Sequence, residues 1–224
     1  MKKWIICFLG ILLVFGLSAC TSSNVNTQEA VIDNQPQENN SNKILIVYFS
    51  MPETSSSTDM SSEEENSTVV IDNEVMGNTQ YFASIIQEYT QGTLFRIEPT
   101  TPYLTSHELL IDLASTEQKE EARPLIKNSI DNFEQYDIVF VGYPNWWGDM
   151  PMILYTFFDD YDFESKTIIP FNTHGGSGFS NTIETIKELE PAAIVSNQGL
   201  SISRNEIENS KSTITSRLDA LAKN

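Results

Sequence analysis

Three short segments of this chain carry residue types suited to holding a ligand. Gly77-Asn78-Thr79 brings a glycine, an amide and a hydroxyl together, and Tyr143-Pro144-Asn145-Trp146-Trp147-Gly148 sets two indoles on a loop bounded by proline and glycine. Thr173-His174-Gly175-Gly176-Ser177-Gly178 interleaves glycines with donors. Hydroxyls and backbone N–H groups at a helix start bind phosphate without a cation. That suits a stretch with no Lys or Arg between Lys43 and Arg96. Adjacent indoles on such a loop cannot both sit easily in one core, and aromatic faces stack on flat ligands at low entropy cost. Closely spaced glycines let the backbone approach a ligand and aim N–H groups at it. Nucleophilic and metal chemistry have no footing: the two cysteines are Cys7 and Cys20, and no metal-ligand spacing or Ser-His-Asp order is present. No catalytic residue or metal ligand is assigned. Of the two histidines, His174 is expected to be a hydrogen-bond partner or a surface residue, and His107, at a helix start, has no functional case.

The N-terminus gives an address. Lys2 and Lys3 precede an almost wholly apolar run from Trp4 to Gly16, short for a helix that must cross about 30 Å of hydrocarbon. Leu17-Ser18-Ala19-Cys20 resembles a bacterial lipobox. The resemblance implies a signal peptide over 1–19, acylation of Cys20, and a lipid-anchored protein at the extracytoplasmic face. The rival is an uncleaved anchor helix with an incidental Cys20. Acyl chains contribute about 0.8 kcal/mol per buried methylene, so a diacylglyceryl group anchors firmly without a spanning segment. Residues 20–42 are polar and read as a lipidated flexible tether. Residues 43–224 are then left for one domain. The chain carries a formal charge of −18; without Lys2 and Lys3, 11 basic residues face 31 acidic ones, giving −20. Such an excess speaks against nucleic acid or anionic lipid as a ligand.

The elements that must position the three segments follow from hydrophobic pattern. Apolar runs at 43–49 and 137–143 predict strands, the first buried on both faces; 93–97 reads as a second short strand, 167–171 as a fourth, and a fifth lies between Ala192 and Leu200, where Asn197-Gln198-Gly199 interrupts it. Helical spacing covers 78–91, 107–122, a helix starting at Met152, 181–189 and 205–222. Strands alternating with helices predict an α/β fold with a parallel sheet covered on both sides. Five strands in this sequence suit the order 2-1-3-4-5, in which ligands bind beyond the carboxyl ends of strands 1 and 3. The three segments follow strands 1, 3 and 4.

Taken together, residues 43–222 resemble the flavodoxin-like FMN-binding proteins, specifically a branch with Gly-Asn-Thr, Tyr-Pro-x-Trp-Trp-Gly and Thr-x-Gly-Gly-Ser-Gly loops. Thr101-Pro102-Tyr103 and Arg123-Pro124 add to the likeness. The resemblance implies a flavodoxin-like three-layer sandwich with FMN as cofactor. Ser50, Gly77, Asn78 and Thr79 would hold the phosphate. Pro144, Asn145, Trp146, Trp147 and Gly148 would hold the ring, with one indole as its lid. Thr173, His174, Gly175, Gly176 and Ser177 would meet its polar edge. The chain departs from the pattern in an insertion over 51–76 after strand 1, where Val69-Val70-Ile71 can pair as a local ribbon. The hydroxyl completing the phosphate cradle is therefore Ser50 or one within the insertion, such as Thr54.

The leading expectation is a flavodoxin-type electron carrier serving a redox partner protein or a small-molecule acceptor. The rivals are an FMN-dependent oxidoreductase moving hydride from reduced nicotinamide to a quinone-type acceptor, and a surface binding module with the fold and no flavin. Asp149, Asp159 and Asp160 are the acids nearest the ring loop in sequence, so they are expected to set the field at the ring.

Overall fold

The computed structural model describes residues 43–51, 58, 60–61 and 64–223. Cys20, the apolar segment before it, the tether and Thr54 lie outside the described residues. Strand β1, Ile44–Tyr48, explains its own unbroken apolar run: Leu45 and Val47 enter one core, Ile46 and Tyr48 the other. The described part of the inserted segment has a 3₁₀ turn, Glu64–Asn66, followed by a hairpin of β2, Thr68–Ile71, and β3, Glu74–Gly77. Asp72 and Asn73 join its strands with φ of 51° and 67°. Paired left-handed residues of this kind make the two-residue turn whose twist matches antiparallel strands. The expected ribbon is present.

Helix α1, Asn78–Thr90, returns the chain to β4, Thr93–Arg96. Helix α2, His107–Lys119, stops three residues short of the helix expected there. The reason is local: Glu121 takes φ of 49°, its N–H reaches the Gln118 carbonyl, and the Ala122 N–H reaches Glu117. This left-handed C-terminal motif satisfies the last carbonyls and ends the helix. Then come β5, Ile138–Pro144; α3, Met152–Asp160; β6, Thr167–His174; and α4, Thr182–Leu189.

The fifth strand position is filled in two pieces, β7, Ile194–Val195, and β8, Leu200–Ser203, both parallel to β6. Ile168 pairs with Val195 and Phe171 with Leu200, so residues 196–199 loop out opposite Ile169 and Pro170. Pro170 offers no N–H to a ladder. A Cβ on Gly199 would lie 2.6 Å from the Phe179 ring and 2.8 Å from the Pro170 carbonyl, so only glycine fits where the strand resumes. The chain closes with a 3₁₀ turn, Ile207–Asn209, and α5, Lys211–Leu221, where one continuous helix was expected.

The main sheet runs β4-β1-β5-β6-β7, with β8 also on β6, and every pairing is parallel. Counted along the main sheet alone this is 2-1-3-4-5, the flavodoxin-like order. Helices α1 and α5 cover one face through Phe82, Ile86, Ile214 and Leu218. Helices α2, α3 and α4 cover the other through Leu110, Ile153, Phe157 and Ile186. Beyond α3 lies a cluster of Phe133, Phe157, Tyr161 and Phe163. Lys166 is buried beside it: its Nζ donates to the carbonyls of Tyr136 (2.7 Å) and Glu134 (3.3 Å) and stands 5.0 Å from the Phe133 ring centre. Among the described residues no helix is long and apolar enough to cross a membrane.

Candidate functional site

Beyond the carboxyl ends of β1, β5 and β6 opens a cavity of about 310 Å³. All three motif-bearing loops reach it. Its wall is divided: Ser67, Asn78, Thr79, Thr173 and Arg204 make one end polar, whereas Leu110, Ile111, Ala114, Trp146 and Trp147 make the other apolar.

The polar end is wired by the chain itself. Ser50 Oγ accepts the Gln80 N–H at 3.3 Å, and Gln80 Oε1 accepts the Gly77 N–H at 3.2 Å. The Asn78 N–H donates to the Ser67 carbonyl at 2.8 Å, and Asn78 Nδ2 to the Asn66 carbonyl at 3.3 Å. Gly77 is needed for close approach, since a Cβ there would lie 2.1 Å from Ser50 Oγ. Ser50 is thus a buried plug under the start of α1 and is not part of the cavity wall. Thr79 and Thr173, both buried, join their hydroxyls at 2.8 Å and tie α1 to β6. Asn78 Oδ1 is buried without a hydrogen-bond partner. A buried acceptor left unpaired is costly and marks a place for a donor from a ligand.

At the apolar end, Trp146 and Asp149 exchange backbone hydrogen bonds of 2.8 and 3.0 Å around Trp147 and Gly148, whose φ values are 53° and 80°. Both central residues of this turn are left-handed; for a tryptophan such backbone is strained and characteristic of functional loops. The two indoles part company. Trp146 is half-buried and packs edge-on against Phe49 and Tyr103, 5.6 and 5.5 Å between ring centres. Trp147 is 61% exposed, and its Nε1 donates to the Ile111 carbonyl of α2 at 2.9 Å. Of the pair, Trp147 is the free face. Asn145 braces the loops: its N–H reaches the Thr173 carbonyl, its Nδ2 the Gly178 carbonyl, and its Oδ1 accepts the Gly148 N–H.

In the third loop His174 Nδ1 accepts the Gly176 N–H at 2.9 Å, so the neutral ring carries its proton on Nε2. Burial lowers its pKa, partly opposed by the Glu206 charge, so the neutral form prevails at neutral pH. The Arg204 N–H extends the β6–β8 pairing to the His174 carbonyl, and the guanidinium carbon would stand 3.4 Å from a Cβ at Gly175. Behind Trp146, the Tyr103 hydroxyl donates to Glu117 at 3.0 Å, and burial pushes the pKa of both groups up.

Of the residues expected from sequence, Asn78, Thr79, Pro144, Asn145, Trp146, Trp147, Thr173, His174 and Gly175 line the cavity. Ser50, Gly77, Gly148, Gly176 and Ser177 stand outside its wall and shape the loops. Sequence reasoning missed Met51, Ser67, Ile111, Arg204 and His107, the last having been given no role. Met51 simply continues the chain beyond β1, and no local pattern marks the other four, which arrive through tertiary contacts. The acids expected near the ring are not in the wall. Asp149 accepts from the Tyr155 hydroxyl and the Met150 N–H, and Asp159 pairs with Arg123.

A family model described as Flavodoxin matches residues 67–214. Among solved structures, a candidate flavoprotein from Bacteroides eggerthii DSM 20697 is 27% identical with a TM-score of 0.60, covering 81% of this chain and 99% of that one. One from Bacteroides uniformis ATCC 8492 is 24% identical with a TM-score of 0.55 over 75% and 96% of the two chains. A flavoprotein in complex with FMN from Lactobacillus acidophilus NCFM has the same fold at 17% identity, with a TM-score of 0.53 over 75% and 98%. No curated protein matches the chain. The cavity, with hydroxyls, an unpaired buried acceptor and one guanidinium at one end and indole and aliphatic surface at the other, fits a flat apolar ring carrying an anionic, hydroxyl-bearing tail. The chain belongs to the flavodoxin family, and that membership supports FMN as its cofactor and redox chemistry as its general function.

Proposed function

We propose that this protein is a flavodoxin-type FMN-binding electron carrier held at the extracytoplasmic face of a bacterial membrane by a lipid on Cys20. The observation that carries the redox half is the division of one cavity into a polar and an indole-lined end. FMN supplies the electron chemistry; the chain binds and orients it. Trp147 offers the free aromatic face, Trp146 fixes the turn from below, and Ile111 holds the Trp147 indole in place through its carbonyl. Asn78, Thr79 and Thr173 line the tail end. The address rests on Leu17-Ser18-Ala19-Cys20 and the polar tether after it.

A visible spectrum of purified residues 43–224 tests the cofactor: a yellow protein, or an apo form that quenches FMN fluorescence at a one-to-one ratio, is expected, and a colourless protein that leaves FMN fluorescence unquenched would overturn the reading. For the address, Cys20→Ala should abolish lipid labelling and release the protein from the membrane fraction; retention would favour an uncleaved anchor helix. Potentiometry separates carrier from enzyme. A carrier gives two separated one-electron steps and slow oxidation of reduced nicotinamide. Fast nicotinamide oxidation coupled to a quinone would instead make the protein a reductase, with the FMN site unchanged.

A further inference from the structure

We propose that Arg204, rather than the N–H groups at the start of α1, supplies the charge that holds the FMN phosphate; this rests on the FMN reading above. Helix starts attract phosphate when their first N–H groups are free. Here those of Gly77, Asn78 and Gln80 are engaged by Gln80 Oε1, the Ser67 carbonyl and Ser50 Oγ, which leaves only the Thr79 N–H among them. A phosphate that took more than this one N–H would have to displace the chain's own acceptors, and a single N–H brings no full charge.

The charge pattern supplies the alternative. In a chain with 31 acidic residues, no carboxylate lines the cavity among the described residues, and Arg204 is the one Lys or Arg in its wall. The ion pairs of the described residues engage Arg123, Lys127, Lys187 and Lys211, leaving Arg204 out. Its backbone is fixed to His174 at the end of β6, and its guanidinium lies beside Gly175, where an added Cβ would come into van der Waals contact with it. Thr173, the residue before His174, joins its hydroxyl to Thr79 at the start of α1, so Arg204 is carried beside the polar end. A guanidinium offers paired donors matched to phosphate oxygens. It also offsets locally the repulsion that a strongly acidic chain exerts on a dianion.

The test is fluorescence titration of the folded domain with FMN and with riboflavin, which lacks the phosphate, for wild type, R204Q and R204K. R204Q should lose about tenfold or more in FMN affinity, with riboflavin affinity held within about twofold and R204K intermediate. Equal loss for both flavins, or no loss for FMN, overturns the proposal while leaving the FMN site standing. Wild type binding neither flavin overturns the FMN reading itself. Should R204Q fold poorly, wild-type salt dependence decides. FMN affinity that falls with ionic strength while riboflavin affinity stays level supports a charged contact; an equal response from both overturns it.

Discussion

The two ends of the cavity solve opposite problems. At the start of α1, donors and acceptors find partners within the chain: Ser50 with Gln80, Ser67 with Asn78, Thr79 with Thr173. At the 146–149 turn the chain does the reverse, leaving the Trp147 indole largely in solvent on a backbone that side chains rarely adopt. One end is tied together by hydrogen bonds within the chain, with Asn78 Oδ1 left over. The other holds exposed apolar surface on a left-handed turn. The difference teaches that affinity for a ring should come from the end that is incomplete, and selectivity for the tail from the few groups left over at the end that is complete.

The sharpest way to break this contrast is the tryptophan pair. Trp146→Ala should cost about 2–4 kcal/mol of stability in urea unfolding, because it empties a partly buried aromatic cluster. Trp147→Ala should leave stability within about 1 kcal/mol and weaken FMN binding by about 0.5–1.5 kcal/mol. Similar stability losses from both would mean that Trp147 is a structural anchor as well. Glycine substitutions probe the same contrast through the backbone. Gly77→Ala must drive the Ser50 hydroxyl from its place, and a loss of about 1–3 kcal/mol is expected. Gly148→Ala meets nothing closer than Ser180 Oγ at 3.8 Å, so only its φ of 80° resists. Its cost should be about 1–2 kcal/mol. The reverse ranking in thermal or urea melts would contradict the picture of a packed tail end and an open ring end.

The smallest expected effects are those of pH. His174 has a pKa held below 6.5 by burial, so the folded state binds fewer protons there than the unfolded chain. Its contribution is full above about pH 6.5 and is lost as the pH falls through the lower folded value. Replacing His174 by Asn, which keeps an acceptor for the Gly176 N–H, should flatten that part of the stability curve. Far from the cavity, Glu190 has its pKa raised to about 7, by burial first and then by Asp162 and Asp159. It contributes the opposite slope, full below about pH 4.5 and lost as the pH rises through 7. Glu190→Gln should therefore stabilise the protein at about pH 8, by at most about 1 kcal/mol for a group partly exposed to solvent. Unchanged slopes in both variants would remove the distinction.

Strands buried on both faces announce themselves, so β1, β5 and β6 were legible in apolar runs, whereas β4, a short edge strand with no fully buried residue, was legible chiefly from its place between two helices. The split of the fifth strand was only half legible. Asn197-Gln198-Gly199 marked an interruption, but that Leu200 rejoins β6 depends on Phe179 and Pro170 crowding Gly199. The three loops were legible because their residue types are unusual. The division of labour within them was not: whether an indole faces a core or a cavity is decided by Phe49, Tyr103 and Ile111, which lie far away in sequence. Proximity along the chain also misled for Asp149, which a hydroxyl six residues on, that of Tyr155, draws aside.

Lys166 has a practical consequence. Among the described residues it is the one buried lysine, its amine capped by two carbonyls at the root of β6. Amine-acylating reagents should label the surface lysines first and reach Lys166 only when the sheet opens, because a hydrogen-bonded ammonium must lose both its shelter and a proton before it can attack. Mass-spectrometric labelling at this position would then serve as a built-in clock for global unfolding, read on the native chain without any introduced probe. Run with and without flavin, the same clock would report how far a ligand at the top of the sheet steadies its opposite end.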